Sequence, residues 1–383
     1  MGLDGFTKFI EQHFPDVYQD VHISAFSYKK IMFDVSSYIY KYMSMYGKEN
    51  NKWLNAFVNL ILFFKQYNVH AIFVFDGTSP PEKEEEKHDR GNQRNKTDEK
   101  NFNIQLALSK YKETGEKSQI LIDIMNQLLI KKYKEERMTK IKRLLRPCLD
   151  TNTNTNTNSD EIEIDVNLIE HYLDNRVKNL FNITKDDIQL LKTLLEKFKI
   201  PYLQAPDEAE SLCNYLVIEK IADATFSLDS DCIAYGVPLI INKIELTNCM
   251  CRIIDYKRLC QEVELTPEQV TLLCILVGND YNRHTKNIKG LGPSTSYKLI
   301  KQYESIQNIR TQDKRFQIQD DGLRYERCLE LFSKKYPEFK TINFWDSNIN
   351  IEEIENFCLQ NNIYVDKNKI NKLWNKSTLI FID

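Results

Sequence analysis

Two short apolar runs, residues 200–203 and 224–228, give way to acids: Glu208 and Glu210 after the first, Asp229 and Asp231 after the second. The first run reads as a buried strand. Ala205, Pro206 and Asp207 break it, Asp207 is expected to cap the following helix, and Glu208 and Glu210 fall in that helix's first turn. The second run reads as another strand. Residues 29–33 and 70–75 repeat the pattern, ending in Asp34 and Asp76, and a helical run over 266–277 leads to Asp280. Carboxylates gathered beyond strand ends repel one another unless something positive binds them, and hard oxygen donors in such numbers suit Mg²⁺ or Mn²⁺. Taken singly, each pair also fits a plain helix-dipole partner or a turn. Residues two apart on a regular helix face nearly opposite ways, so Glu208 and Glu210 converge only if that first turn meets the site end-on. No Ser/His/Asp or Cys/His constellation competes as a nucleophile.

Strands must position these acids. Apolar β-rich runs alternate with helical periodicity over 35–45, 52–67 and 186–199, which indicates βαβ units and a mainly parallel sheet flanked by helices, an α/β fold. The 383 residues, 42% hydrophobic and 28% charged, suffice for a soluble core. No apolar run nears the ~20 residues of a membrane span, and the first residues lack signal-peptide blocks. Nine scattered cysteines without zinc-finger spacing point to a reducing compartment, hence an intracellular protein, nuclear or cytoplasmic, a viral replication site included, and not a secreted one. The net charge of −3 does not itself advertise nucleic acid, but a carboxylate-rich site can mask local basic patches.

Pro80-Pro81 opens a charged helical stretch, 82–100, in which Lys83 and Arg90 lie two turns apart on one face. A basic helical run follows over 130–146, then the low-complexity TNTNTNTNS of 151–159, which reads as a flexible tether. Gly290-Leu291-Gly292-Pro293 forms a tight hairpin before a helix begun by Ser294, with Lys289, Lys298 and Lys301 adding charge. Such a hairpin suits a backbone phosphate and equally a plain helix–helix turn. The expected organisation is an N-terminal half over 1–99, an inserted helical region over 100–185, a second sheet half over 186–285, the hairpin region over 286–335 and a helical tail over 336–383.

In order along the chain, MGLDGFTKFI, IMFDVSSYIY, VFDGTSPPEK, IPYLQAPDEAESLC, SLDSDCIAYGVP, LCILVGNDY and IKGLGPSTSYKLI resemble blocks of the flap endonuclease family. That family also holds the xeroderma nuclease, a mismatch-repair exonuclease and a Holliday-junction resolvase. The resemblance covers roughly two-thirds of the chain and leans toward the flap endonuclease branch. It implies a PIN-like 5′ nuclease fold with a helical arch over the inserted region and a helix–two-turn–helix at the hairpin. Asp34, Asp76, Glu208, Glu210, Asp229, Asp231 and Asp280 match the ligands of two divalent ions, Mg²⁺ or Mn²⁺. Lys83 and Arg90 match the basic residues that meet the scissile phosphate. Tyr40 matches an aromatic stacked beside the cut, and Gly2 a residue packed against the site. Lys289, Gly290, Gly292, Ser294 and Lys298 match the element that grips duplex backbone with K⁺. The implied activity is two-metal hydrolysis of 5′ DNA flaps in replication and repair, by a monomer, leaving 5′-phosphate and 3′-hydroxyl.

Three departures qualify the branch. The segment between Tyr40 and Asp76 is short and lacks the acidic loop of the 3′-flap pocket, the segment between Asp76 and Glu208 is long, and no Gln-x-x-Leu-x-x-Phe-Phe sliding-clamp motif occurs. A 5′→3′ exonuclease, a junction resolvase, an inactive DNA-junction binder and a metal-dependent phosphatase are therefore the alternatives.

Overall fold

The structure, a computed structural model, describes residues 2–3, 5–143, 163–177, 181–283, 285, 288, 290–316, 320–346 and 348–374; within these, side chains are described except at 85–87, 90, 132–143, 177, 320 and 321. The chain divides into two compact units, Met1–His88 with Ile183–Asp383, and Asp89–Asn182.

The first unit is built on seven strands: β1 (Tyr18–His22), β2 (Lys30–Asp34), β3 (His70–Phe75), β4 (Tyr202–Gln204), β5 (Ala224–Phe226), β6 (Leu239–Glu245) and β7 (Met250–Asp255). Their order across the sheet is β1-β7-β6-β5-β2-β3-β4. The five strands from β6 to β4 are mutually parallel, while β7 and β1 add antiparallel. The central strands are apolar on both faces because helices cover both. Phe33 of β2 is fully buried between Phe73 and Phe226, each ring centroid 4.8 Å away, and burying a ring this way stabilises by about 1.5–3 kcal/mol. The expectation of a mainly parallel sheet holds. The edge pair β7 and β1 carries no clear apolar alternation, and sequence periodicity alone does not reveal it.

Helices α1 (Phe6–His13), α2 (Ser36–Tyr46) and α3 (Lys52–Gln66) belong to the first half of this unit. A single charged helix, α4 (Glu84–Thr114), crosses from the first unit into the second at Asp89. With it, α5 (Gln119–Arg143) and α6 (Val166–Val177) form the second unit, whose small core joins Ile104, Leu108, Leu121, Ile124, Met125 and Ile169. The low-complexity run 151–159 lies outside the described residues.

The chain returns through α7 (Lys185–Lys197), α8 (Ala209–Ile218), α9 (Tyr256–Val263), α10 (Pro267–Val277), α11 (Pro293–Tyr303), α12 (Ile306–Gln312), α13 (Asp320–Leu323), α14 (Tyr325–Phe332), α15 (Ile351–Gln360) and α16 (Lys367–Trp374). Helix α10 starts on a Thr266 capping box with Pro267 at its first position, as Thr-Pro-x-Gln dictates. Among the described residues no helix is long and apolar enough to cross a membrane.

Candidate active site

Because β5, β2, β3 and β4 run parallel and side by side, their carboxyl ends share one edge of the sheet. That edge is the switch point where the chain, having laid β3 and β4 on one side of β2, crosses to place β5 on the other. Open α/β sheets form their crevice there. Asp34 closes β2, Asp76 follows β3, Glu208 and Glu210 follow β4, and Asp229 and Asp231 follow β5. Asp280 arrives from the far end of α10, and its backbone N–H donates to Asp231 Oδ2 at 3.3 Å.

The local backbone explains how neighbouring acids reach the same place. Glu208 is not inside α8 but is its N-cap, with extended φ −93° and ψ 134°, whereas Glu210 lies in the first turn. The two carboxylates are therefore not held to opposite faces of one helix. Asp207 does not cap the helix: its carboxylate accepts from Tyr336 Oη at 2.6 Å and pairs with Lys334. Gly77 lets the end of β3 pass the β4–α8 turn, where a Cβ would sit 2.2 Å from the Ala205 carbonyl oxygen. Gly2, at φ +86°, presses on the cluster so closely that a Cβ would meet Asp229 Oδ1 at 1.9 Å.

The acids are buried and crowded. Asp34, Glu208, Glu210, Asp231 and Asp280 are each at most 6% exposed. Asp34 accepts from the Ser36 N–H and from the Ser37 and Ser227 hydroxyls. Asp76 accepts from the Ser36 hydroxyl and the Ala209 N–H. Burial, then Asp76 and Asp229, push the Asp34 carboxyl up to about 7. Burial with Asp229 and Asp231 raises Glu210 well above the ordinary range, and burial with Asp229 and Asp280 does the same to Asp231. Burial and Asp280 raise Asp229.

Cationic side chains of the chain itself enter this field. Lys83 Nζ lies 2.8 Å from Glu208 Oε1 and 3.4 Å from Asp280 Oδ2, with its side chain 14% exposed. Burial pulls its proton affinity down, but Glu208, Asp280 and Glu210 outweigh burial and hold the ammonium charged. Arg283 reaches Asp280 Oδ1 at 3.5 Å and donates to the Gly2 carbonyl.

The donor set is one that hard divalent cations take. Asp231 Oδ1, buried with no hydrogen-bond partner among the described residues, fits the same chemistry. As the side chains stand, no group of three or more among the described residues is arranged to hold an ion, and two of the acids are turned to Lys83.

The remaining expected residues divide. Tyr40 lies on α2, 36% exposed. Gly290 adopts φ +82°, as its turn demands, Gly292 caps α11, and Ser294 and Lys298 are exposed on that helix. The side chain of Arg90, and Lys289 altogether, lie outside the described residues. Tyr281, Tyr235, Ser211 and Cys232, none singled out by sequence reasoning, stand against the cluster. Tyr281 Oη donates to Glu208 Oε2 at 2.6 Å, and Cys232 Sγ to Glu210 Oε1 at 3.1 Å. The one available signal was adjacency: Tyr281 follows Asp280, and Cys232 follows Asp231.

The XPG N-terminal domain matches residues 1–97 and the XPG I-region residues 199–280, segments that between them carry all seven acids, Tyr40, Lys83 and Arg90. A probable RAD2-like endonuclease 076L of Invertebrate iridescent virus 3 is 30% identical over 327 residues, 81% of each chain. Flap endonuclease 1 of Xiphophorus maculatus is 26% identical over 323 residues, 81% of this chain and 68% of its own. The catalytic core of Rad2 in complex with DNA substrate superposes with a TM-score of 0.59 at 17% identity, covering 97% of this chain and 98% of that one. A mainly parallel sheet in this strand order, flanked by helices, is thus the fold of the 5′ nucleases. The chain belongs to the XPG/flap endonuclease family of structure-specific nucleases.

Proposed function

We propose that this chain is a Mg²⁺-dependent 5′ flap endonuclease that cuts branched DNA as a monomer in an intracellular compartment. The observation that carries this reading is the gathering of six acids at one sheet edge with Asp280 from the end of α10, and beside them Lys83, held charged by Glu208 and Asp280. Asp34, Asp76, Glu208, Glu210, Asp229, Asp231 and Asp280 would hold two divalent ions. Such ions supply an activated water and stabilise the leaving 3′-oxygen. The chain's own part is to place the strand. Lys83, with Arg90, neutralises charge developing on the phosphate. Tyr40 stacks a base beside the cut. Gly290, Gly292, Ser294 and Lys298, with Lys289, grip duplex backbone with K⁺ and carry no sequence information. The helical insertion acts as an arch over the single strand.

The test is a labelled 5′-flap duplex with Mg²⁺, with and without a one-nucleotide 3′ flap, alongside gapped and free-ended duplexes. A single cut at the flap junction supports the proposal. A ladder of short products from free ends replaces it with a 5′→3′ exonuclease. One observation favours a looser substrate rule: only residues 47–51 connect α2 to α3, with no acidic loop to frame a 3′ flap. Stimulation by the 3′ flap is accordingly expected to be weak.

A pH dependence follows from Asp34. Its carboxyl is raised from 3.8 to about 7, so the folded state binds this proton more tightly than the unfolded chain. The contribution is full below about pH 4 and is lost as pH rises to about 7. In EDTA the melting temperature is expected to fall across that interval. With Mg²⁺ the trend should reverse, because binding carboxylates must shed their protons. A flat EDTA profile would show that Asp34 is not so crowded.

A further inference from the structure

Behind Glu208 lies a line of hydroxyls that the proposed chemistry leaves unused. Tyr281 Oη meets Glu208 Oε2 at 2.6 Å, Tyr235 Oη lies 2.8 Å from Tyr281 Oη, and Ser211 Oγ lies 2.7 Å from Tyr235 Oη. The direction of the bonds is fixed by chemistry. Glu208 also pairs with Lys83 through its other oxygen, so the carboxylate only accepts. Tyr281 spends its single hydroxyl proton on Glu208 and must accept from Tyr235, which in turn must accept from Ser211. Every donor points toward the carboxylate, an arrangement in which each bond polarises the next. Phe332 of α14 packs on both rings, 4.9 Å from Tyr235 and 5.5 Å from Tyr281. The rings therefore have one place to stand. Ser211 rides on α8, the helix that Glu208 caps, so the line closes a loop from the helix back to its own N-cap.

We propose that Tyr235 is a positioning residue: through Tyr281 it holds one oxygen of Glu208, leaving the other oxygen free to exchange Lys83 for a divalent cation. This rests on the reading of the acidic cluster as a metal site. Tyr235 itself touches neither substrate nor ion. Its effect is transmitted through Tyr281, and so it disappears when Tyr281 can no longer pass it on.

The test measures Mn²⁺ uptake by the full chain, without DNA, from the loss of the free-ion electron paramagnetic resonance signal. Tyr235→Phe removes one oxygen and leaves the ring against Phe332. It is expected to weaken Mn²⁺ binding about threefold to tenfold, the range of one hydrogen bond, with DNA affinity unchanged. Tyr281→Phe should weaken binding at least as much, and adding Tyr235→Phe to it should change nothing further. If Tyr235→Phe binds Mn²⁺ like the wild type, or if the two effects multiply as independent lesions do, the inference is overturned. If the wild type takes up no Mn²⁺, the metal reading falls and the inference with it. Near-ultraviolet circular dichroism checks each fold. Should Tyr235→Phe fail to fold, Ser211→Ala removes the far donor of the same line and is expected to weaken binding in the same direction, with no further loss in the Tyr281→Phe background; Ser211→Ala binding Mn²⁺ like the wild type overturns the inference.

Discussion

Asp231→Asn is expected to abolish cleavage while making the metal-free protein more stable. Asp231 is 1% exposed, and burial with two neighbouring acids holds its carboxyl far above the ordinary range. Asparagine keeps the shape and the Oδ acceptor for the Asp280 N–H, and it ends the repulsion. Relief of this kind at an active site commonly yields about 0.5–2 kcal/mol, visible as a higher melting temperature in EDTA at neutral pH. Activity should fall on the order of 10³-fold or more, since losing one preorganised electrostatic contact in a dry site already costs about 10²–10³. Binding to a 5′-flap duplex should persist. An active variant would remove Asp231 from the site, and a less stable one would show that its charge is not a strain on the fold.

Lys83→Met carries the opposite signature. It leaves Glu208 and Asp280 without the ammonium now 2.8 and 3.4 Å away. Removing one partner of a buried ion pair costs about 3–5 kcal/mol, because the other charge is stranded. The destabilisation should be large in EDTA and shrink in Mg²⁺, where cations take over the same oxygens. Metal affinity should rise, since Lys83 no longer competes, while turnover falls about 10²–10³-fold through the lost neutralisation at the phosphate. Calorimetric titration of Mg²⁺ beside single-turnover cleavage separates the two effects. A variant equally unstable with and without Mg²⁺ would make Lys83 a structural residue only.

The strands that matter most were legible because each is a short apolar run with an acid at its end. Lys30–Asp34 and His70–Phe75 follow from residue type alone. The β1–β7 edge was not, because β1, Tyr-Gln-Asp-Val-His, is half exposed and shows no period. Asp207 illustrates why local rules fail beside a site. It has the type of an N-cap, but Tyr336 and Lys334, far along the chain, claim its carboxylate, and Glu208 takes the capping position. Glu208 and Glu210 show the converse: a helix-face argument set them apart, and one residue of extended backbone brings them together. The acids could be found by type and spacing. Lys83 was visible as a candidate, but its seat among the carboxylates, like the hydroxyl line from Ser211 to Glu208, exists only in three dimensions.

The strand order also bears on how the protein is born. Strands β2 and β3 leave the ribosome early, but β5, the other neighbour of β2, and β4, the outer neighbour of β3, are encoded beyond the whole second unit. Until β4 and β5 have been translated, the nascent chain holds Asp34 and Asp76 with an open sheet edge on either side, and the seven acids are not all present until Asp280 follows. If the acids act as proposed, a translation product that stops short of Asp280 is expected to lack cleavage whatever its concentration.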